Sequence, residues 1–222
     1  MPRVISLDLD DTLWAIAPVI DAAETALLAW LREHHPRAVH DHDVDSMRQM
    51  RARVAERFPD QSHDMTFLRR RALAEHFADA GADADAAVEA AMEIFLGERN
   101  RVRLYDDVRP TLERLRARHR LFALSNGNAD LRRCGIADLF EGHVTASAAG
   151  AAKPDPRIFA HLLREAGVGP AEVLHIGDDP LADVVGATQA GMQAIWLNRE
   201  SRAWPAEFAQ PPRTISTLAE IL

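Results

Sequence analysis

Two aspartates, Asp8 and Asp10, stand two positions apart where an apolar run turns polar. The run predicts a buried strand, along which Asp8 and Asp10 point to one face and Leu7 and Leu9 to the other. Two carboxylates at about 4 Å repel each other by about 4 kcal/mol at an effective dielectric constant near 20. A divalent cation or a shared proton is the usual remedy. The spacing therefore indicates a site that binds a cation or shares a proton.

Other polar clusters lie in turns that follow predicted strands. They are Ser125 with Asn126, Lys153, and Asp178 with Asp179 and Asp183. In parallel sheets, ligands bind at the carboxyl ends of the strands. We therefore expect these clusters to meet Asp8 and Asp10 in one crevice.

The acidic residues fit the transfer of a group between oxygen atoms. Asp8 can act as a nucleophile, because carboxylates attack phosphorus or carbon to form covalent intermediates. Asp10 is close enough to serve as a general acid and then as a general base. Asp178 can complete a set of oxygen ligands for Mg²⁺, which binds few carboxylates and keeps several waters.

The remaining polar residues supply positive charge and hydrogen bonds. Ser125 and the backbone N–H of Asn126 can hold oxygens of the transferred group. An Asp8 carboxylate at about 4 Å from a phosphate dianion is repelled by about 8 kcal/mol at an effective dielectric constant near 20. Mg²⁺ and the fixed charge of Lys153 together reverse the sign of this interaction.

The segment that follows the first predicted strand is helical by its apolar periodicity. Apolar residues recur at helical spacing over 19–31, 44–58, 67–80 and 88–96. Gly81 is predicted to end the third helix and Asp83 to cap the fourth. We expect an all-helical subdomain at residues 16–105.

Beyond residue 106, short apolar strands alternate with helices. The predicted strands are 121–124, one near Val144, 173–176 and 194–197. Residues 146–152 are small and predict a loop, and a helix is predicted from about Leu181 to Gly191. Apolar strands that alternate with helices predict an α/β fold with a parallel sheet covered on both faces.

The sequence resembles the haloacid dehalogenase (HAD) superfamily of hydrolases. The matching stretches are 8–13 (Asp-Leu-Asp-Asp-Thr-Leu), 125–126 (Ser-Asn), 153–156 (Lys-Pro-Asp-Pro), 177–183 and 185–192. The resemblance implies a three-layer Rossmann-like catalytic core formed by residues 1–15 and 106–222. It also implies that residues 16–105 are an inserted helical cap of the C1 type.

The resemblance also implies a role for each acidic residue. Asp8 would form an aspartyl-phosphate, and Asp10 would protonate the leaving alcohol and then activate water. Mg²⁺ would bind the side chains of Asp8 and Asp178 and the backbone carbonyl of Asp10. Asp183 would support these ligands from behind. For Asp179, such a supporting role and a helix N-cap are equally open.

A bacterial subgroup of that superfamily gives a closer resemblance, carried by residues 12–14, 18–20, 125–129 and 191–196. Its members hydrolyse FMN and the phosphorylated ribityl-aminouracil precursor of riboflavin. Trp14 would either stack on an aromatic substrate or pack against the cap. Arg69, Arg70 and Arg71 would either bind a second anionic group or form a solvated helix face.

Two other functions fit the same scaffold. Haloacid dehalogenation attacks carbon and needs neither a metal nor an acid two residues after the nucleophile, so Asp10 speaks against it. A non-catalytic binding protein would have no reason to keep the repulsion among its acidic residues. We therefore expect a Mg²⁺-dependent phosphomonoester hydrolase that acts on a small metabolite.

The composition limits the partners. The chain has 222 residues, 47% of them hydrophobic, which allows a substantial core. A net charge of −8 argues against nucleic acid. Cys134 is the single cysteine, which argues against a disulfide framework or a cysteine-rich metal site. No apolar stretch suits a membrane span, and Asp8 and Asp10 interrupt any signal peptide. We expect a cytoplasmic monomer or homodimer that binds a small phosphate ester, with no nucleic-acid or membrane partner.

Overall fold

The structure, a computed structural model, describes residues 2–80, 84–211 and 213–222. These residues divide into two compact units, one of which is the helical segment Ile16–Val102. The other joins the N-terminal residues through Ala15 to Arg103–Leu222. The second unit boundary thus lies at residue 103, whereas the sequence suggested 106. That the helical unit serves as a cap stays a prediction.

The largest apolar cluster among the described residues of the helical unit joins three of its helices. The helices of this unit, within the described residues, are α1 (Ile16–His34), α2 (Val44–Arg57), α3 (Met65–Ala80) and α4 (Ala84–Arg99). Apolar positions at helical spacing bring Leu27 of α1, Phe77 of α3 and Phe95 of α4 together in this cluster. Gly81 and Asp83, the predicted helix boundaries, lie outside the described residues.

A buried carboxylate, Glu24 of α1, ties three of these helices together. It accepts hydrogen bonds from Arg48 and Arg51 of α2 and from Arg69 of α3. The guanidinium of Arg69 also lies 3.5 Å from the ring centre of Phe95. Burial opposes ionisation of Glu24, but the hydrogen bonds from Arg51 and Arg48 outweigh it and lower the pKa of this carboxyl. Glu24 is therefore a charged crosslink between α1, α2 and α3.

A parallel sheet forms the centre of the other unit. Its strands are β1 (Val4–Leu7), β2 (Arg120–Ser125), β3 (Gly142–Thr145), β4 (Val173–Gly177), β5 (Gln193–Leu197) and β6 (Thr214–Ile215). Their spatial order is β3-β2-β1-β4-β5-β6, with every neighbouring pair parallel. β1 is central, so Ile5 lies opposite both Leu121 and Leu174. The predicted α/β fold is confirmed.

Both faces of the sheet are covered. The helices of this unit are α5 (Val108–Arg116), α6 (Ala146–Ala149), α7 (Pro156–Ala166) and α8 (Gly186–Gln189). On one face, Val4 and Phe122 pack with Phe159 of α7 and Ala187 of α8. Ile5 points to the other face and is also buried. Burial on both faces explains why the strands read as continuous apolar runs.

Three elements differ from the sequence expectation. Residues 146–149 form α6 instead of a loop, because the Thr145 hydroxyl accepts a backbone N–H of its first turn. The helix expected from Leu181 starts as a π-helical turn, Pro180–Val185, before α8. The strand β6 was not predicted, since two residues carry no detectable alternation. None of the described helices combines the length and apolarity that a membrane span requires.

Candidate active site

Asp8 lies directly beyond the carboxyl end of β1. Its backbone N–H donates to the carbonyl of Ile176 at 2.9 Å, which continues the pairing of β1 with β4. Leu7 and Leu9 on either side are fully buried. The apolar neighbours therefore anchor the backbone while the carboxylate turns into the site, as the alternation predicted.

Lys153 binds Asp8 through its ammonium group. Nζ donates to Asp8 Oδ1 at 2.6 Å, to Asp183 Oδ1 at 2.6 Å and to the Leu124 carbonyl at 2.8 Å. The side chain is 2% exposed. Lys153 is also the only lysine in the sequence. A compact ammonium with three donors suits this narrow site better than a planar guanidinium.

Asn126 holds the backbone of Lys153. The Asn126 side chain accepts from the Lys153 N–H at 2.7 Å and donates to the Lys153 carbonyl at 3.0 Å. Ser125 ends β2, and its hydroxyl accepts from the N–H of Gly127 at 2.9 Å. The Asn126 side chain thus fixes the backbone of Lys153. The role suggested from the sequence, holding an oxygen of the transferred group, concerns the backbone N–H of Asn126 and not its side chain.

Asp183 is the second carboxylate at the lysine. Besides Lys153, it contacts Nε2 of His175 at 3.1 Å and accepts from the N–H of Asp179 at 2.9 Å. A Cβ on Gly177 would lie 2.2 Å from the Asp183 side chain, so only glycine permits this approach. Contacts with Lys153, His175 and the Asp179 backbone therefore fix the buried Asp183 side chain.

Sequence reasoning missed the contribution of His175 and Ser6. Nδ1 of His175 lies 2.7 Å from the Ser6 hydroxyl, and both residues are fully buried. Burial lowers the pKa of His175 despite the opposing effect of Asp183, which favours neutral imidazole. Neutral His175 then donates from Nε2 to Asp183 and accepts from Ser6. The available signal was a polar residue inside each of two buried strands.

Asp178 follows β4 and faces the same crevice. Its Oδ1 accepts from the Thr12 hydroxyl at 3.3 Å, and its Oδ2 accepts from Arg202 at 3.0 Å. Burial raises the pKa of Asp178 to about 6, and the charges of Asp183 and Asp11 add to this effect. The pKa of this carboxyl group is therefore close to neutral pH.

Three carboxylates converge in the way that a cation site requires. One oxygen from each of Asp8, Asp178 and Asp183 lies within 4.8 Å of the other two. Burial raises the pKa of Asp8, and the charges of Asp183 and Asp178 raise it further, against the effect of Lys153. Carboxylate oxygens are the donors that Mg²⁺ and similar hard cations prefer. The donor set therefore fits a divalent cation.

The charges of Lys153 and Asp183 stabilise each other. Burial opposes ionisation of both, but Lys153 and His175 together hold the pKa of Asp183 well below its usual range. Asp183 and Asp8 in turn raise the pKa of Lys153 above that of a free lysine. Lys153 and Asp183 therefore both stay charged.

Asp10 and Asp179 stand apart from the three carboxylates. Asp10 Oδ1 accepts a hydrogen bond of 2.9 Å from the indole of Trp14. Asp179 Oδ1 accepts from the N–H groups of Leu181 and Ala182, so it acts as a helix N-cap, one of its two predicted roles. The carboxylate of Asp10 is thus not among the three that converge, as a separate acid–base group requires.

The arginine triplet in α3 does not act as one unit. Arg69 binds Glu24 at 3.2 Å in the interior of the helical unit. Arg70 pairs with Glu89, and Arg71 lies 3.5 Å from Glu75. Each guanidinium therefore has an acidic partner within the unit.

Comparisons with known proteins agree with these motifs. The family model described as haloacid dehalogenase-like hydrolase matches residues 2–191. The 5-amino-6-(5-phospho-D-ribitylamino)uracil phosphatase YigB of Escherichia coli is 33% identical over 224 residues, which cover 98% of this chain and 93% of YigB. Phosphoserine phosphatase of Thermus thermophilus is 36% identical over 69% of this chain and 64% of its own.

One solved structure is similar over the whole length of this chain. The crystal structure of 2-haloacid dehalogenase from Pseudomonas syringae pv. Tomato has a TM-score of 0.93 and 40% identity. The match covers 100% of this chain and 96% of that one. Since the family model spans most of the sequence, the chain belongs to the haloacid dehalogenase-like hydrolases.

Proposed function

We propose that this chain is a Mg²⁺-dependent phosphomonoester hydrolase that works through an aspartyl-phosphate on Asp8. The observation that carries the proposal is the arrangement of Asp8, Lys153 and Asp178 at one end of the sheet. The Lys153 ammonium lies 2.6 Å from the Asp8 carboxylate, with Asp178 and Asp183 close by. An anionic ester needs concentrated positive charge beside a carboxylate nucleophile, and this site can provide it.

In the first step, an oxygen of Asp8 attacks the phosphorus atom. The P–O bond to the leaving alcohol breaks, and Asp10 transfers its proton to that oxygen. Lys153 keeps the Asp8 carboxylate in place and offsets the negative charge of the phosphoryl group. Ser125 and the backbone N–H of Asn126 hold the phosphoryl oxygens in this proposal. The products of the step are the alcohol and the acyl phosphate.

In the second step, water hydrolyses the acyl phosphate. Asp10, now ionised, takes a proton from the attacking water. The bond between phosphorus and the Asp8 oxygen breaks and releases inorganic phosphate, which restores both carboxyl groups to their starting states. Asp10 is therefore acid and base in turn, which requires that its carboxylate not bind the cation.

The proposed cation ligands are the side chains of Asp8 and Asp178 and the backbone carbonyl of Asp10. Mg²⁺ bound there supplies positive charge that lowers the repulsion between nucleophile and substrate. Asp183 lies in the same cluster, but its side chain is 2% exposed, against 11% for Asp8 and 14% for Asp178, and it already holds the Lys153 ammonium. We assign Asp183 to the support of Lys153 and Asp179 to helix capping. Neither side chain binds the cation in this proposal.

The substrate that we propose is a small cytoplasmic phosphate ester of the kind used in riboflavin synthesis. Support comes from the similarity to YigB, which extends over 98% of this chain, including the helical unit. The resemblance of residues 12–14 and 191–196 to the subgroup that hydrolyses FMN points the same way. A screen of FMN, ribityl-aminouracil phosphate, nucleoside monophosphates and sugar phosphates tests this assignment.

A second candidate function is 2-haloacid dehalogenation. The solved dehalogenase structure that is 40% identical favours it. In that reaction the Asp8 carboxylate would attack carbon and displace halide, with no need for a cation. The acid at position 10 and the clustered carboxylates favour phosphate transfer instead.

The two functions differ in product and metal requirement. We expect turnover of p-nitrophenyl phosphate with Mg²⁺ that disappears with EDTA and in Asp8→Asn. The matched control is Asp138→Asn, which changes an exposed carboxylate and should keep the wild-type rate. Chloride release from a 2-haloacid without Mg²⁺, with no phosphatase activity, would assign the chain to dehalogenation.

A further inference from the structure

Asp178 has an arginine partner within the chain. A guanidinium nitrogen of Arg202 donates to Asp178 Oδ2 at 3.0 Å and to the Asp178 carbonyl at 2.8 Å. Across the described ranges of the chain, no other basic side chain forms an ion pair with Asp178. Arg202 is therefore the chain's own source of positive charge at this carboxylate.

The loop after β5 is built to present Arg202. The buried Asn198 side chain accepts from the Arg202 N–H at 2.9 Å and donates to the Arg202 carbonyl at 2.8 Å. Trp196, in β5, donates from its indole to the same Asp178 carbonyl at 2.8 Å. Asn198 thus fixes the backbone of Arg202, and Trp196 fixes that of Asp178 beside it.

The charges around Asp178 make Arg202 important. Asp178 lines a small crevice together with Asp11, Glu200, Arg199 and Arg202. Arg199 is already committed, because both its terminal nitrogens lie 3.1 Å from carboxylate oxygens of Asp107. Of these two arginines, Arg202 is the one directed at the carboxylate of Asp178.

We propose that Arg202 is an internal counter-ion that competes with the divalent cation for the carboxylate of Asp178. The guanidinium is bonded to one of the two oxygens that Asp178 can offer a metal ion, and in this proposal loading of the site requires Arg202 to give up this bond. Arg202 is 44% exposed and can turn into solvent when displaced. Since such exposed pairs are weak, the competition lowers cation affinity by a moderate factor without blocking the site. This inference rests on the proposed metal site.

The test is direct binding of Mg²⁺ without substrate, measured by titration calorimetry. Arg202→Gln should lower the dissociation constant for Mg²⁺ by about two- to fivefold, the range expected for an exposed ion pair. Mg²⁺ should also raise the melting temperature more in Arg202→Gln than in the wild type, because the metal-free variant leaves Asp178 unpaired. Arg202→Lys, which keeps the charge but has no planar fork, should fall between the two.

The matched control is Arg3→Gln, which removes the same charge at the opposite end of β1. Arg3 forms an exposed pair with Glu172 at 2.9 Å. Its loss should leave the dissociation constant for Mg²⁺ unchanged, since charges beyond about 10 Å are screened in ordinary buffer.

The results separate this inference from the proposed function. If Arg202→Gln bound Mg²⁺ with wild-type or weaker affinity, Arg202 would be a support for Asp178 and the competition would be refuted. If the wild type bound no Mg²⁺, the metal site and the competition would both be wrong. If Arg3→Gln tightened binding as much as Arg202→Gln, the effect would be net charge alone and the specific role would fail.

Discussion

The indole N–H of Trp14 donates a hydrogen bond of 2.9 Å to the carboxylate of Asp10. The ring is fully buried, so this bond fixes the proposed acid–base group through a rigid side chain. The roles considered from the sequence, stacking on substrate or packing against the cap, did not include it. Trp14 is therefore a positioning residue for Asp10.

Trp14→Phe should impair protonation of the leaving group while it keeps most of the buried ring. We expect kcat to fall about tenfold for an alkyl phosphate, whose leaving group needs a proton, and much less for p-nitrophenyl phosphate. The control is Trp204→Phe, because the Trp204 indole donates to the Ala209 carbonyl instead. Equal losses on both substrates would mean that Trp14 acts only through stability.

Lys153→Met should destabilise the protein, because Asp8 and Asp183 would lose their shared cation. Removal of one partner from a buried charge network costs about 3–5 kcal/mol in the free energy of unfolding. The double variant Lys153→Met/Asp183→Asn should recover part of this loss, since one of the uncompensated charges is gone. Urea unfolding near neutral pH measures all three free energies. Equal stability of wild type and Lys153→Met would show that the lysine charge contributes nothing to the fold.

Cation affinity should depend on pH through Asp178. Its pKa of about 6 is above the usual value for Asp, so the folded protein binds a proton more readily than the unfolded chain does. In the metal-free protein, the contribution of Asp178 to stability therefore falls as pH rises through about 6. A divalent cation must displace that proton. We expect Mg²⁺ to bind about tenfold more weakly at about pH 5 than at about pH 7. Equal calorimetric affinities at both pH values would contradict this.

Glu24→Gln should destabilise the helical unit. The Glu24 side chain is 6% exposed and serves three guanidinium groups, so its neutralisation leaves buried positive charge uncompensated. We expect a loss of about 3 kcal/mol in the free energy of unfolding. The matched control is Glu89→Gln, which breaks an exposed pair with Arg70 and should cost less than about 1 kcal/mol. Similar costs for the two variants in urea unfolding would refute the crosslink.

The sheet and the location of the site were predictable because both follow from local pattern and topology. The runs at 121–124 and 173–176 are apolar enough to identify buried strands, and both lie within observed strands. The rule that ligands bind at the carboxyl ends of parallel strands then brought Asp8, Lys153 and Asp178 together. No knowledge of side-chain contacts was needed for either step.

The pairing of charges was not predictable in the same way. Consecutive residues on a helix point about 100° apart, so the triplet in α3 sends its side chains to different partners. Arg69 binds Glu24, Arg70 binds Glu89 and Arg71 approaches Glu75. Long-range contacts such as these depend on how the helices pack, which apolar periodicity alone does not specify.

That the buried ammonium beside Asp8 belongs to the only lysine in the chain has an experimental consequence. Protein grown with isotope-labelled lysine would carry the label at Lys153 alone, so one side-chain NMR signal would report on this centre. Nζ is enclosed by Asp8, Asp183 and a backbone carbonyl, which should slow exchange of its protons with water. A single resonance could then follow ionisation, cation loading and phosphoryl transfer in the intact protein, without a reporter group.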